Sequence, residues 1–155
     1  MPTHAEKRLM PYSAEEMYSL IADVGRYPEF LPWCAAARVR GKSSLPDGSG
    51  EVMDADLVIS FKVYREKFGS RVTLRPGEYK IDVEYLDGPF RYLNNSWVFK
   101  PVGEKKCEVD FFVDFEFRSV ILQKLIGVVF NEAMQRIVRA FERRAEDLYS
   151  VRPKI

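Results

Sequence analysis

The stretch CEVDFFVDFEF, residues 107–117, is the clearest strand signal in the chain, because apolar and charged side chains alternate along it. Four acidic residues lie on one side, and a period of two is typical of a β-strand with one wet and one dry face. The dry face needs a cover, and this requirement constrains the whole fold. Its predicted members are Cys107, Val109, Phe111, Val113, Phe115 and Phe117.

A long helix follows this strand directly and can supply the cover. Ser119 is placed to cap a helix over 119–149, about 30 residues and roughly 45 Å long at 1.5 Å per residue. Its apolar residues recur at helical spacing, which predicts one stripe packed on the sheet. The predicted stripe is Leu122, Ile126, Val129, Ala133, Ile137, Ala140 and Leu148.

The upstream half predicts a short strand, a helix and then about six antiparallel strands. Residues 3–10 form the first strand, and Ser13 with Glu16 forms a capping box at the start of the helix. Gly25 predicts its end. Turn signals such as SSLPDGSG and DGP separate the later strands, and a further break is expected at 60–63. The strand segments themselves are 34–42, 51–59 and its continuation as far as Leu74 beyond the break, 79–86, 91–99 and 107–117.

This order of elements predicts a single α+β domain over residues 1–155, with a curved antiparallel sheet wrapped around the long C-terminal helix. A chain of this length fits one domain. The layout resembles the helix-grip architecture. It can enclose a cavity between sheet and helix, although the apolar pattern alone fits a filled core equally well.

The residues give little support to catalysis. His4 is the only histidine, so a catalytic triad lacks an imidazole, and we expect His4 to be exposed on its strand. The carboxylate pairs Asp54/Asp56 and Asp110/Asp114 fall on the polar side of their strands, where they are expected to be solvated. We therefore predict no catalytic residue, no metal site and no catalytic cofactor.

Charge and cysteine content exclude further classes. The 24 basic and 23 acidic residues nearly cancel, which argues against DNA as a partner and makes the ribosome a less favoured one. Cys34 and Cys107 are expected to be small reduced core residues. No signal peptide or membrane-spanning run occurs, so we expect a cytoplasmic protein that touches a membrane only peripherally. Arginines at 136, 139 and 143 share a helix face, either solvated or facing anionic headgroups.

The stretch DVGRYPEFLPWC, residues 23–34, is unusually apolar and stiff for a connection after a helix. Pro28 and Pro32 restrict the backbone around it. Its large side chains either plug the end of the core or form the rim and lid of a cavity, and we predict that Phe30 and Trp33 form a semi-rigid lip. A second unusual feature is Asn95, which together with Arg91 interrupts an inward strand face. The partner of the Asn95 amide is a backbone group, water or a ligand carbonyl.

Four segments resemble signatures of the bacterial coenzyme Q-binding, START-like family, in the order this family shows. They are SAEEMYSLIADVGRYPEFLPWC, VEYLDGPF, CEVDFFVDFEFRS and LIGVVFNEA, and the similarity extends over residues 11–149. The family takes in ribosome-association toxin proteins and neighbours the polyketide cyclase group. The resemblance implies a protein that binds ubiquinone and supports respiratory electron transfer without catalysing a reaction.

The resemblance also implies where ubiquinone, or another isoprenoid or lipid, would be held under the C-terminal helix. The side chains expected at the mouth of this site are Tyr27, Phe30, Leu31 and Trp33. Those expected on the sheet wall are Phe111, Val113 and Phe115, and on the helix wall Leu125, Val129 and Phe130. The site further takes in the strand residues Leu57, Phe61, Asn95 and Trp97.

Two other functions stay open from the sequence. A ribosome-association toxin that binds the large ribosomal subunit should show an exposed basic patch and salt-dependent binding. A cyclase-like enzyme should place acidic or basic groups inside the cavity, where the inward faces offer few. The expected partners of a quinone carrier are the lipid ligand itself, the inner membrane surface and the respiratory complexes.

Overall fold

The computed structural model describes residues 3–61 and 64–149, which form one seven-stranded antiparallel sheet and two α-helices. The strand order across the sheet is β1-β7-β6-β5-β4-β3-β2, and the sheet curves around the second helix, as predicted. The strands are β1 Thr3–Met10, β2 Cys34–Ser44, β3 Glu51–Phe61, β4 Tyr64–Arg75, β5 Lys80–Asp87, β6 Phe90–Gly103 and β7 Lys106–Phe117. The helices are α1 Ala14–Ala22 and α2 Val120–Tyr149.

The first helix starts where its capping box predicts but ends earlier than expected. The Glu16 backbone N–H donates to Ser13 Oγ at 3.1 Å, and Ser13 N–H donates to the Glu16 carboxylate at 3.0 Å. Asp23 leaves helical geometry with ψ of 65°, so Gly25 is not the stop. The chain continues as a 3₁₀ segment, Val24–Glu29, whose tighter winding accommodates Pro28.

The second helix confirms the predicted length and the cap, since Leu122 N–H donates to Ser119 Oγ at 3.2 Å. The predicted inner stripe is only partly correct. Leu122 and Ala133 are buried, whereas Leu148 is 51% exposed and Val129 is half-buried, because the line of contact with the sheet runs one position away. The buried residues of α2 are Leu122, Phe130, Ala133, Met134, Val138, Phe141 and Ala145. Within the described ranges neither helix is apolar enough over a sufficient length to cross a bilayer.

The apolar interior consists of two clusters that meet beneath α2. The first surrounds α1 and includes the fully buried Ile21, Ile81, Phe99 and Cys107. The second lies under the N-terminal half of α2. Three partly buried side chains pack against both clusters, and a cavity forms beside them at this junction. They are Leu57, Phe111 and Ile137.

The register of β6 corrects one inward assignment. Phe90 pairs with Phe117 and Tyr92 with Glu116, so Arg91 is the extra residue of a β-bulge. The bulge reverses the alternation at this point, a known effect of one inserted residue. As a result Phe90 is buried and Arg91 points outward, with its guanidinium 3.5 Å from the Glu116 carboxylate.

Two further side chains are less exposed or less buried than expected. His4 is half-buried rather than exposed, since its ring lies 5.9 Å from the Phe111 ring and its Nε2 lies 2.9 Å from the Glu6 carboxylate. Cys107 is fully buried as predicted, whereas Cys34 is only half-buried at the start of β2. Both thiols are free.

The carboxylates lie on the polar side of the strands, as predicted, but they are paired, and those of Asp56 and Asp110 are largely buried rather than solvated. Asp54 accepts from Arg71 at 2.9 Å, and Asp110 lies 3.0 Å from the Lys100 ammonium. The break expected at 60–63 falls between β3 and β4, and residues 62–63 of it lie outside the described part of the chain.

Candidate ligand-binding site

A cavity of about 190 Å³ lies between the sheet and the C-terminal half of α2. The 3₁₀ segment and the residues after it close one end through Val24, Tyr27 and Leu31. Met134, Ile137 and Phe141 form its helix wall. The sheet wall comes from β3 to β7, where alternate side chains point inward, and it includes Leu57, Phe68, Ser70, Val72, Ile81, Val83, Leu93, Asn95, Trp97, Phe111 and Val113.

Seven of the fourteen residues expected from the sequence line this cavity together. They are Tyr27, Leu31, Leu57, Asn95, Trp97, Phe111 and Val113. Their role in ligand binding stays a prediction. The five strand residues among them reach the same space because inward parity on a strand is a local property, which the sequence pattern reports directly.

The other expected residues lie elsewhere. Phe115 and Phe130 are buried in the second core cluster, and Leu125 and Val129 are half-buried on α2 without lining the cavity. The helix residues that line the cavity, Met134, Ile137 and Phe141, lie between two and three turns closer to the C-terminus than those expected. The backbone of Phe61 ends β3, and its side chain lies outside the described part of the chain.

The predicted lip is divided between two places. The Phe30 ring packs 5.4 Å from the Phe141 ring, with the Arg144 guanidinium 5.1 Å above it, so it is clamped to α2. Trp33 instead lines a separate cavity of about 70 Å³ beside Pro89 and Ile126. Of the four residues expected at the mouth, Tyr27 and Leu31 line the main cavity, whereas Phe30 and Trp33 do not.

The sequence did not predict the helix residues of the cavity wall, because it placed the inward face of α2 about one residue away from the face that packs on the sheet. Steps of 3.6 residues from Leu122 lead to Ala133 and Ala140, whereas the bulky buried side chains Phe130, Met134 and Phe141 lie about one position away from that line. The bulk of Met134 and Phe141 compared with Ala140 was the available signal. The inward position of Ser70, which is 3% exposed, follows from its pairing with Ala55 on β3.

The cavity carries few polar groups, and two of them are already paired with protein atoms. Asn95 Nδ2 donates to the Phe112 carbonyl at 2.8 Å, and Asn95 Oδ1 accepts from Trp97 Nε1 at 3.2 Å. The partner of the Asn95 amide is thus a backbone group, one of the alternatives the sequence left open. The Tyr27 hydroxyl donates to the Ile21 carbonyl.

The ionisation of Tyr27 is strongly opposed. Burial raises the pKa of this phenol well above its ordinary value, and the nearby Cys34 and Asp23 act in the same direction. A neutral, hydrogen-bonded phenol can donate a hydrogen bond but is a poor base near neutral pH. The polar members of the wall therefore suit recognition of a ligand better than proton abstraction.

Aromatic rings dominate one side of the cavity. The Trp97 and Phe111 ring centroids are 4.4 Å apart, and Phe141 meets Trp97 edge-on at 5.3 Å. Such flat apolar surfaces stack favourably on a planar ring.

A charged cluster lies behind this aromatic wall, around a smaller cavity of about 40 Å³. Arg8 bridges Glu6 at 2.6 Å and Glu142 at 2.9 Å. Burial acts to raise the pKa of Glu6, but hydrogen bonds from Arg8 and His4 outweigh it, so the pKa is lowered. Arg8 pairs with both carboxylates, which leaves one net negative charge in this cluster, and none of the three side chains lines the main cavity.

The chain is similar to proteins of known name over nearly its whole length. Residues 10–142 match the family model described as polyketide cyclase / dehydrase and lipid transport. The Ribosome association toxin RatA of Rickettsia prowazekii (strain Madrid E) is 40% identical over 144 residues, which cover 91% of this chain and 94% of that protein. Coenzyme Q-binding protein COQ10 homolog B, mitochondrial, of Xenopus laevis is 32% identical over 150 residues, 94% of this chain and 59% of that protein. The solution structure of an 18 kDa protein from Caulobacter crescentus matches with a TM-score of 0.77 and 33% identity, covering 97% of this chain and 100% of that one.

Proposed function

Since the chain belongs to the polyketide cyclase / dehydrase and lipid transport family, we propose that it binds ubiquinone or a similar ring-bearing lipid in the cavity under α2. The family membership confirms the resemblance expected from the sequence. The relative named as a coenzyme Q-binding protein supports a quinone as the ligand.

The apolar cavity is the observation that carries this proposal. An apolar cavity of about 150 Å³ in another protein stays dry and binds benzene. The cavity here, at about 190 Å³, has room for one substituted six-membered ring stacked on Trp97 and Phe111. An isoprenoid tail is larger than the remaining space, so the tail would leave past Leu31.

The proposed role is to carry the lipid, in support of respiratory electron transfer, rather than to catalyse a reaction. Apolar side chains form most of the described lining, and Tyr27 is held neutral by its raised pKa. Ser70 would donate its hydroxyl to a quinone carbonyl, because the Asn95 amide is already paired with Phe112. A single neutral donor orients a ligand but supplies no acid–base pair.

Extraction of the purified protein with organic solvent, followed by mass spectrometry, tests the ligand directly. A bound prenylquinone supports the proposal. Titration with a short-chain ubiquinone should quench Trp97 fluorescence and saturate at one ligand per chain. Absence of both an extracted quinone and saturable quenching would count against quinone binding.

A pair of variants on α2 tests the place of binding. Ile137→Glu puts a carboxylate into the cavity wall and should abolish saturable quenching, because an unpaired buried charge is unfavourable. Leu148→Glu introduces the same group on the same helix at a position that is 51% exposed, and it should leave quenching unchanged. Circular dichroism verifies that both variants are folded.

Ribosome association is a second candidate function, favoured by the relative named as a ribosome association toxin. Arginines on the outer face of α2 give it a surface to act through. Sedimentation of the protein with large ribosomal subunits, weakening as salt increases, would support this function. Quinone binding and ribosome binding are measured independently, so either one can fail alone.

A further inference from the structure

The outer face of α2 carries exposed aliphatic side chains in its first half and arginines in its second half, with the exposed charged residues Lys124, Glu132 and Glu146 on the same side. Exposed fractions are 63% for Val120, 66% for Ile121 and 86% for Val128, which are high for aliphatic side chains on a helix that otherwise packs on the sheet. Ile121 and Val128 are seven residues apart, two turns, so they project on the same side. We call Val120, Ile121 and Val128 the apolar patch.

The basic half continues along the same side of the helix. Arg139 and Arg143 take part in no ion pair among residues 3–61 and 64–149, while Arg136 lies 3.0 Å from the Glu132 carboxylate. Arginine side chains without an acidic partner are available to an external anion. We call Arg136, Arg139 and Arg143 the basic patch.

A surface groove of about 400 Å³ runs between the basic patch and the segment after α1, lined there by Pro28, Phe30, Leu31 and Pro32. Glu29, the acidic side chain of this groove, is engaged by Arg144 at 2.9 Å and by Arg26 at 3.5 Å. The groove therefore presents unpaired positive charge next to apolar side chains.

We propose that this face of α2 docks on a lipid bilayer that carries anionic headgroups. Aliphatic side chains followed by arginines fit the boundary between acyl chains and headgroups, where interfacial helices bury an apolar face about 5–10 Å deep. Val128 and Arg139 are separated by about 16 Å along the axis at 1.5 Å per residue, so the helix lies obliquely with its N-terminal half deeper. The charge complementarity identifies the anionic lipid as the occupant.

The apolar patch distinguishes a bilayer from a nucleic acid. Phosphate groups of RNA would pair with the arginines, but RNA would leave Ile121 and Val128 in water. A bilayer buries both halves of the face at once, and burial of apolar area is favourable. The observations therefore favour lipid over RNA.

The docked orientation also bears on ligand exchange, and this part rests on the proposed quinone binding. Leu31 lines both the groove and the main cavity, so its side chain is the shared wall between them. A docked α2 face would bring this wall next to the bilayer, and a lipid could pass between the two without crossing bulk water.

Vesicle binding of the full chain tests the docking, with no quinone present. We expect sedimentation with phosphatidylethanolamine–phosphatidylglycerol vesicles, weakening as salt increases, and much weaker binding to phosphatidylcholine vesicles. Arg139→Ala combined with Arg143→Ala should weaken partitioning about 30-fold, the effect of two basic residues at an anionic surface. Val128→Asp should weaken it at least about tenfold, because the carboxylate would enter the acyl boundary.

The matched control variants make the same kinds of substitution at positions outside the docking face. Leu9→Asp alters an aliphatic residue that is 59% exposed on β1, and Arg38→Ala removes an exposed arginine of β2 on the sheet face opposite α2. Both should change partitioning less than about twofold, since neither lies on the docking face. Thermal unfolding verifies that every variant is folded.

Several results would overturn the docking proposal. One is equal binding to both vesicle types, and another is an equal loss of vesicle binding in control and test variants. A third is a wild-type protein that does not bind vesicles but sediments with ribosomal subunits through Arg139 and Arg143. Quinone titration in detergent is a separate measurement. Val128→Asp should keep full quinone binding there, and vesicle binding without any quinone binding would sustain the docking while refuting the proposed function.

Discussion

Replacement of Val83 by phenylalanine should fill part of the cavity and separate stability from ligand binding. Val83 lies on the sheet wall and its side chain points into the free space. An unfilled apolar cavity lowers stability by about 24 cal/mol per Å³, so 190 Å³ corresponds to at most about 4–5 kcal/mol. A folded core that lacks this much stabilisation free energy is expected where a bound ligand fills the cavity and completes the packing.

The phenylalanine adds about four carbon atoms, worth up to about 3 kcal/mol of transfer free energy. Strain and lost rotamer freedom offset part of this, at about 1–2 kcal/mol. The net gain is therefore about 1–2 kcal/mol. For 155 residues this raises the melting temperature by about 3–6 °C.

Ligand affinity should move in the opposite direction, because the added ring occupies the space of a quinone ring. We expect the dissociation constant for a short-chain ubiquinone to increase at least about tenfold, about 1.4 kcal/mol. Trp97 fluorescence reports binding from within the cavity wall, and a Trp33→Phe background removes the second tryptophan.

Val102→Phe is the matched control, since Val102 is 54% exposed at the end of β6. It should change neither the melting temperature nor the titration. A Val83→Phe protein with a raised melting temperature and unaltered quinone affinity would refute the assignment of this cavity as the binding site. A lowered melting temperature would refute the argument that the cavity has room for the added ring.

Three further predictions follow from individual contacts. Asn95→Ala removes the donor to the Phe112 carbonyl and the acceptor of Trp97 Nε1, and urea denaturation should report a loss of about 1–2 kcal/mol. Burial raises the pKa of Tyr18 from 10.0 to about 12, so the stability that its neutral form contributes is complete below pH 10 and is lost as the pH rises toward 12. The urea midpoint of Tyr18→Phe should therefore fall less than that of the wild-type protein over this range. An equal fall in both proteins would contradict this reasoning. Phe141→Ala should destabilise by about 3–5 kcal/mol in thermal unfolding, and a loss below about 1 kcal/mol would show that the ring is not part of the packed core.

The sequence alone was sufficient for the elements and their order. Strand β7 and helix α2 were predicted nearly to the residue, since alternation over Cys107–Phe117 and the Ser119 cap depend on neighbours along the chain. The same local logic placed five residues of the cavity wall on inward strand faces, Leu57, Asn95, Trp97, Phe111 and Val113, while Tyr27 and Leu31 were expected from the family resemblance. A strand side chain two residues from an inward one also points inward unless a bulge intervenes.

The tertiary structure alone decided the parts that depend on partners distant in sequence. The bulge at Arg91 arises from the register between β6 and β7, and no pattern within β6 announces it. The helix wall at Met134, Ile137 and Phe141 depends on how α2 is rotated and shifted along the sheet. A helix with apolar residues on more than one side can pack in several phases of nearly equal apolar burial. Only the shapes of the facing strands select one of them, and the same selection leaves the space at the junction of the two clusters unfilled.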